Sequence, residues 1–262
     1  MDLTRVRESW LWKSGIEFVA GVDEVGVGPL AGPVVAAAVI LPREFDARSI
    51  NDSKKMTEKA RNAAAVLVRE YAISFCIAAA SEQEIDAINI YHATMLAMRR
   101  AVSGLSVAAQ HALVDGRTVP ELVIPQTKIV GGDAIEPAIA AASILAKVHR
   151  DALMMQLHAE YPMYGFNLHK GYPTPDHQDA LRKFGPCAVH RMSYPAVLEW
   201  SGRFGETYDE LKRELADMKT KNALDQWRKR LRTRSHELTE TERKRLRAMA
   251  QRRFADAGFS RT

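Results

Sequence analysis

Disulfide chemistry has almost nothing to work with in this chain, which holds two cysteines, Cys76 and Cys187, among 262 residues. They are far apart in sequence and form no C-x-x-C pair, so no disulfide framework suggests itself. A reducing cytoplasm is the expected compartment. Long apolar runs are missing too. The longest, VVAAAVIL and AIAAASILA, fall far short of the roughly 20 residues that span a bilayer. The opening MDLTRVRESWLWKSG has no apolar stretch of signal-peptide length. A soluble protein with no membrane partner is therefore expected. Aromatic residues are few, at 7%, but 47% of the chain is apolar, enough for one large domain or a domain with an appendage.

Acidic residues are outnumbered by basic ones only towards the C-terminus. Residues 209–262 hold 16 Lys/Arg against 9 Asp/Glu, whereas the preceding residues hold 21 against 23. Stretches such as WRKRLRTR, with Trp227 and helical amphipathic spacing, read as solvated helix faces or as a surface for a polyanion.

Apolar and breaker residues alternate along the rest of the chain. Strands are expected at about 18–24, 34–41 and 72–80, and helices from Thr57 to Tyr71 and from the capping box of Ser81 and Glu84. HALVDG and TKIVGGD read as two short buried strands that end in a carboxylate, and a long helix follows Pro137. Strands interleaved with helices indicate an α/β layered fold.

The segment GVDEVGVGPLAGPV, from Gly21 to Val34, places Asp23 and Glu24 at the end of the first strand. Side chains alternate along a strand, so the two acids share a site only if the chain leaves extended geometry at Glu24. The glycines after them are expected to supply that bend. Asp115 and Asp133 complete a set of acids at three strand ends, where α/β sheets commonly bind ligands. Taken singly, Asp115-Gly116 reads as a turn and Asp133 as a helix cap. Together, four carboxylates repel one another unless cations are present, and hard oxygen donors favour Mg2+ or Mn2+. Two such ions suit phosphodiester hydrolysis. Gly26, Gly28 and Gly32 are spaced G-x-G-x-x-x-G with no following Lys-Ser/Thr, which fits neither a dinucleotide fingerprint nor a P-loop.

The motifs GVDEVGVGPLAGPVVAAAVILP, INDSKKMTEKAR, INIYHATMLAMRRAV, LVDG, GGDAIEPAIAAASILAKVHRD, YPMYGFNLHKGYPTPDH and FGPCAVHRMSYPAV follow one another from about residue 17 to 198. Seven such motifs in series resemble the type 2 ribonucleases H, the bacterial ribonuclease HII family. The resemblance implies a ribonuclease H-like fold, a mixed sheet flanked by helices, in a catalytic domain at 1–204. Residues 205–262 then form a basic helical extension. It also implies a monomeric, metal-dependent endonuclease that cuts the RNA strand of RNA–DNA hybrids and incises 5′ to a lone ribonucleotide in duplex DNA, as in ribonucleotide removal and primer RNA degradation.

By position, the resemblance makes Asp23, Glu24, Asp115 and Asp133 the metal-binding acids. The family's ribose-sensing Gly-Arg-Gly loop falls on Gly26, Val27 and Gly28, and its sugar-contacting tyrosine on Tyr172. Lys54, Lys55 and Lys170 are expected phosphate contacts. Asn89, His92, Ser143, Lys147, His169 and His190 are expected to pack or to support the site. The chain departs from the family at Val27, where arginine is usual, and at Gly131, Ile135-Glu136 and Met192. Each departure removes positive charge from the expected nucleic-acid face. A catalytically weakened relative that chiefly binds nucleic acid is the rival reading, opposed by the presence of all four acids.

Overall fold

The computed structural model describes residues 3–50, 56–201, 204–218 and 220–256, and its contacts divide the chain into two compact units, Met1–Val197 and Leu198–Thr262. In the first, helix α1 (Val6–Lys13) leads to strand β1 (Val19–Val25), which pairs antiparallel with β2 (Val34–Ile40). The run VVAAAVI of β2 is buried throughout, as befits a strand covered on both faces. Helix α2 (Glu58–Tyr71) starts where the Thr57 hydroxyl accepts the Ala60 amide, satisfying a first-turn donor. Strand β3 (Ser74–Ala80) adds antiparallel to β2. Ser81 and Glu84 close the capping box of α3 (Glu82–Ser103). Asn89 interrupts α3 with a φ of 66°, and its Oδ1 accepts the His92 amide to restart the helix. Strands β4 (His111–Asp115) and β5 (Gln126–Ile129) continue parallel beyond β1, giving the mixed order β3-β2-β1-β4-β5.

Helix α4 (Pro137–Glu160) covers one face of this sheet, with α5 (Phe166–His169), α6 (Pro175–Phe184) and α7 (Pro195–Leu198) following it in the chain. Alternation along β2 sorts the core into two layers: Val35, Ala37 and Val39 meet α2 and α4, while Ala36, Ala38 and Ile40 meet α3. At Gly21 the main chains of β1 and α4 touch. A Cβ there would lie 2.0 Å from the Ala138 carbonyl carbon, so only glycine permits this approach.

Two local expectations change. Strand β1 stays extended through Glu24, which pairs with Ala36, and the turn comes at Gly26 with φ 89°. Asp133 is not at a strand end, because β5 stops at Ile129 and Asp133 lies in the 3-10 turn Gly132–Ala134.

In the second unit, α8 (Glu206–Asp217), α9 (Lys221–Thr233) and α10 (Glu240–Asp256) enclose their own core around Trp227, whose indole donates to the Leu211 carbonyl at 2.9 Å. Part of its basic charge is matched internally, by Arg230–Glu214, Arg234–Glu210 and Arg245–Glu199 pairs. Among the described residues no helix is long and apolar enough to cross a membrane.

Candidate active site

The parallel register that sets Val22 beside Val114 brings the next residues of β1 and β4, Asp23 and Asp115, to the same end of the sheet. Asp23 is buried on the α4 side, where Ser143 bonds to it. Burial, then the charges of Glu24 and Asp115, hold its carboxyl well above the usual carboxylate range. The Glu24 amide donates to Asp23 Oδ1 at 2.7 Å. Glu24 Oε1 faces Arg117 at 3.6 Å. Asp115 Oδ1 accepts the Gly132 amide at 2.6 Å, which ties the turn carrying Asp133 to the end of β4. Asp133 itself is buried.

The three carboxylates Asp23, Glu24 and Asp115 thus share one electrostatic neighbourhood, and their repulsion together with hard oxygen donors suits a divalent cation. Among the described residues, however, no group of three or more His, Cys, Asp or Glu side chains stands in an arrangement that could hold a metal ion. The bonds of Asp115 to Gly132 and of Glu24 to Arg117 engage those carboxylates elsewhere.

Directly after the acids, the loop Gly26–Pro33 is held by two buried arginines. Arg191 donates to the carbonyls of Gly26 at 2.6 Å, Val27 at 3.0 Å and Gly32 at 2.9 Å. Tyr194 adds its hydroxyl to the Val27 carbonyl at 2.9 Å. Arg150 donates to the carbonyls of Pro33, Ala31 and Lys170, each at 3.0 Å. A trans peptide keeps its N–H and C=O on opposite sides. With the Gly26 and Val27 carbonyls turned onto Arg191, the amides of Val27 and Gly28 point the other way, and neither has a main-chain acceptor among the described residues.

The Lys170–Tyr172 turn lies against this loop. The Leu30 amide donates to the Gly171 carbonyl at 2.8 Å, and Tyr172 Cε1 would lie 3.7 Å from a Cβ placed on Gly28. Tyr172 and Gly28 are both exposed. Lys170 turns its ammonium back to the Asn167 carbonyl, and Lys147 pairs with Asp151 at 2.6 Å. Lys54 and Lys55 lie outside the described residues.

Glu136 is not on this surface. It is buried, and its carboxylate accepts the Arg7 amide at 2.8 Å and the Glu8 amide at 3.4 Å, clasping the first turn of α1. Sequence reasoning also passed over Arg150 and Arg191. Arg150 had a signal: it stands four residues after Ala146 and four before Met154 on the buried stripe of α4, a position where a charge needs partners.

Residues 20–197 match the family model described as Ribonuclease HII. A Ribonuclease HII of Burkholderia ambifaria is 55% identical over 183 residues, covering 70% of this chain and 84% of its own. That of an Anaeromyxobacter species is 51% identical over 195 residues, or 74% of this chain, which spans 62% of that relative's length. Among solved structures, the ribonuclease H2 of Pyrococcus horikoshii superposes with a TM-score of 0.60 at 23% identity, over 71% of this chain and 98% of that one. This last likeness shows a shared fold.

Proposed function

The chain belongs to the ribonuclease HII family, and on that premise we propose that it is a divalent-metal-dependent endoribonuclease that cleaves RNA paired with DNA and incises 5′ to a single ribonucleotide in duplex DNA. The observation that carries the reading is the outward pair of amides, Val27 and Gly28, which follow closely on Glu24 and stand opposite Tyr172. A ribose 2′-hydroxyl accepts such donors, and deoxyribose offers no oxygen there. Tyr172 then packs on the next sugar, where the absence of a 2′-hydroxyl favours close contact. An RNA-to-DNA junction is read by the two together.

Asp115 released from the Gly132 amide and Glu24 released from Arg117 would join Asp23 and Asp133 in holding Mg2+ or Mn2+. Bound there, such ions would supply a lowered pKa for the attacking water and positive charge at the scissile phosphate. Burial of Asp23 and the Gly132 bond to Asp115 keep the acids at one end of the sheet, so the phosphate 5′ to the ribonucleotide meets them when its sugar sits at the loop. A reducing cytoplasm would keep Cys76 and Cys187 as free thiols.

The test is incubation of a duplex containing one ribonucleotide with the protein in Mg2+, beside an EDTA control and an all-DNA duplex. Cleavage 5′ to the ribonucleotide, leaving 3′-hydroxyl and 5′-phosphate ends and abolished by EDTA, is expected. Binding without cleavage would instead support the weakened, nucleic-acid-binding relative.

A further inference from the structure

Three imidazoles beneath the Tyr172 turn have only one consistent placement of their protons. His177 Nδ1 lies 2.9 Å from the Tyr172 carbonyl oxygen, which can only accept, so Nδ1 carries the proton. His177 Nε2 is then an acceptor and faces His190 Nε2 at 3.1 Å, which must donate. His190 Nδ1 is left as an acceptor, and there it meets the Cys187 amide at 3.0 Å and the Cys187 thiol at 3.1 Å. The two ends of the chain, a carbonyl and an amide, independently demand the same tautomers. His169 stacks on His177 at 4.5 Å between centroids, accepts the Gly171 amide at 3.2 Å and donates to the Tyr164 carbonyl at 2.7 Å.

A proton added to His177 or His190 would set two N–H groups against each other, so the relay exists only with both rings neutral. Burial acts in the same direction, lowering His177 to about 4 and His190 to about 3. The hydrogen bonds of the two rings run to each other, to the Tyr172 main chain and to Cys187. What they hold is the main chain of the residue whose ring stands across from Gly28.

We propose that His177 and His190 are positioning residues: the relay from Cys187 through both imidazoles fixes the Tyr172 main chain, and so sets how strongly the enzyme prefers deoxyribose on the 3′ side of the ribonucleotide. The inference rests on the proposed reading of Tyr172 as a sugar contact. Packing alone would hold the turn in place; a directed hydrogen bond also fixes its rotation.

The experiment compares kcat/KM on a duplex with one ribonucleotide against kcat/KM on a continuous RNA–DNA hybrid. His177→Phe removes both hydrogen bonds at similar ring size and should lower this ratio about tenfold, equivalent to about 1.4 kcal/mol. His177→Asn keeps an N–H near the Nδ1 position and should restore most of it. A merely structural role would depress both substrates together, so an unchanged ratio in His177→Phe, or an Asn variant no better than Phe, overturns the proposal. Imidazole nitrogen spectra of the unaltered protein test the relay without any variant. They should show His177 protonated at Nδ1 and His190 at Nε2, and the reverse pattern overturns it. Should the unaltered protein itself show no junction preference, the proposed function falls, taking the relay's role in it, whatever the spectra show.

Discussion

The guanidinium of Arg191 donates to the carbonyl of Val27 at 3.0 Å, so the loop with valine at its tip is oriented from beneath by a buried arginine. Replacement by methionine would leave the Gly26 and Gly32 carbonyls without their donor and the Val27 carbonyl with the Tyr194 hydroxyl alone. Buried polar groups left unsatisfied cost about 1–3 kcal/mol each, and Arg191→Met should lower stability by roughly 3 kcal/mol or more, measured by urea unfolding. Discrimination between a single ribonucleotide and all-DNA should weaken in whatever fraction remains folded.

Two glycines of the same loop should behave oppositely. At Gly26, φ is 89° and a Cβ would lie 2.2 Å from Arg150 Nε, so Gly26→Ala should destabilise markedly. At Gly28 the added carbon meets Tyr172 Cε1 at 3.7 Å, an ordinary contact. Gly28→Ala should therefore melt within a degree or two of the unaltered protein, yet lose about tenfold or more in kcat/KM at a single ribonucleotide, because it narrows the space in front of the amides. Equal melting losses in the two variants would contradict this.

Asp23 is an acid whose folded pKa is raised by burial and by Glu24 and Asp115. Its stabilising effect is complete below the unfolded value and lost as pH rises through the folded one, so at neutral pH without metal it is a burden. Asp23→Asn should raise the metal-free Tm by an amount corresponding to about 1 kcal/mol or more, abolish cleavage, and remove the stabilisation that Mg2+ gives the unaltered protein. Calorimetry with Mg2+ and with EDTA checks all but cleavage, for which gel assays suffice.

Glu8 supplies a second pH signature far from the acids. Burial raises it from 4.5 to about 7, against the opposing pull of the Arg5 charge. The contribution is again complete below the unfolded value of 4.5 and disappears as pH climbs through 7, the direction for a raised acid. Glu8→Gln mimics the protonated form. It should gain about 3 kcal/mol at about pH 8 and almost nothing at about pH 4, as read from unfolding curves at both values.

The basic surplus of the second unit is smaller in effect than its sequence suggests, because Arg230, Arg234 and Arg245 already face carboxylates. If the remaining cations touch duplex backbone, removal of residues 205–262 should lower the slope of log K against log salt by about 0.9 for each phosphate no longer neutralised. We expect a decrease of about two or three. An identical slope would make the extension a structural or partner-binding unit.

The sheet was legible because its signals are local: apolar runs such as VVAAAVI, bounded by Pro33 and Pro42, and the capping box at Ser81 and Glu84. The convergence of Asp23 and Asp115 could be guessed from acids at strand ends. What was not legible depends on partners distant in sequence. Nothing in HRMSY says that Arg191 reaches carbonyls 159 to 165 residues away. Likewise Glu136 reads as an exposed charge at a helix start, and only its bonds to the amides of Arg7 and Glu8 show why it is buried. The extended path of Glu24 was misjudged for a related reason: six paired residues of β2 hold β1 straight through Val25, and the pull of a neighbouring strand cannot be seen in the tip glycines alone.

Gly21 has a bearing on how this site can change over time. Because β1 rests on α4 without an intervening side chain, the gap between the strand carrying Asp23 and the helix carrying Ser143 is fixed by the thickness of two backbones. Exchanges among the surrounding valines, alanines and isoleucines can drift without retuning that gap. Variation in rate or substrate preference must then come from the rim, from loop residues such as Val27 and from the Tyr172 turn, where the chain is free to be revised without moving its carboxylates.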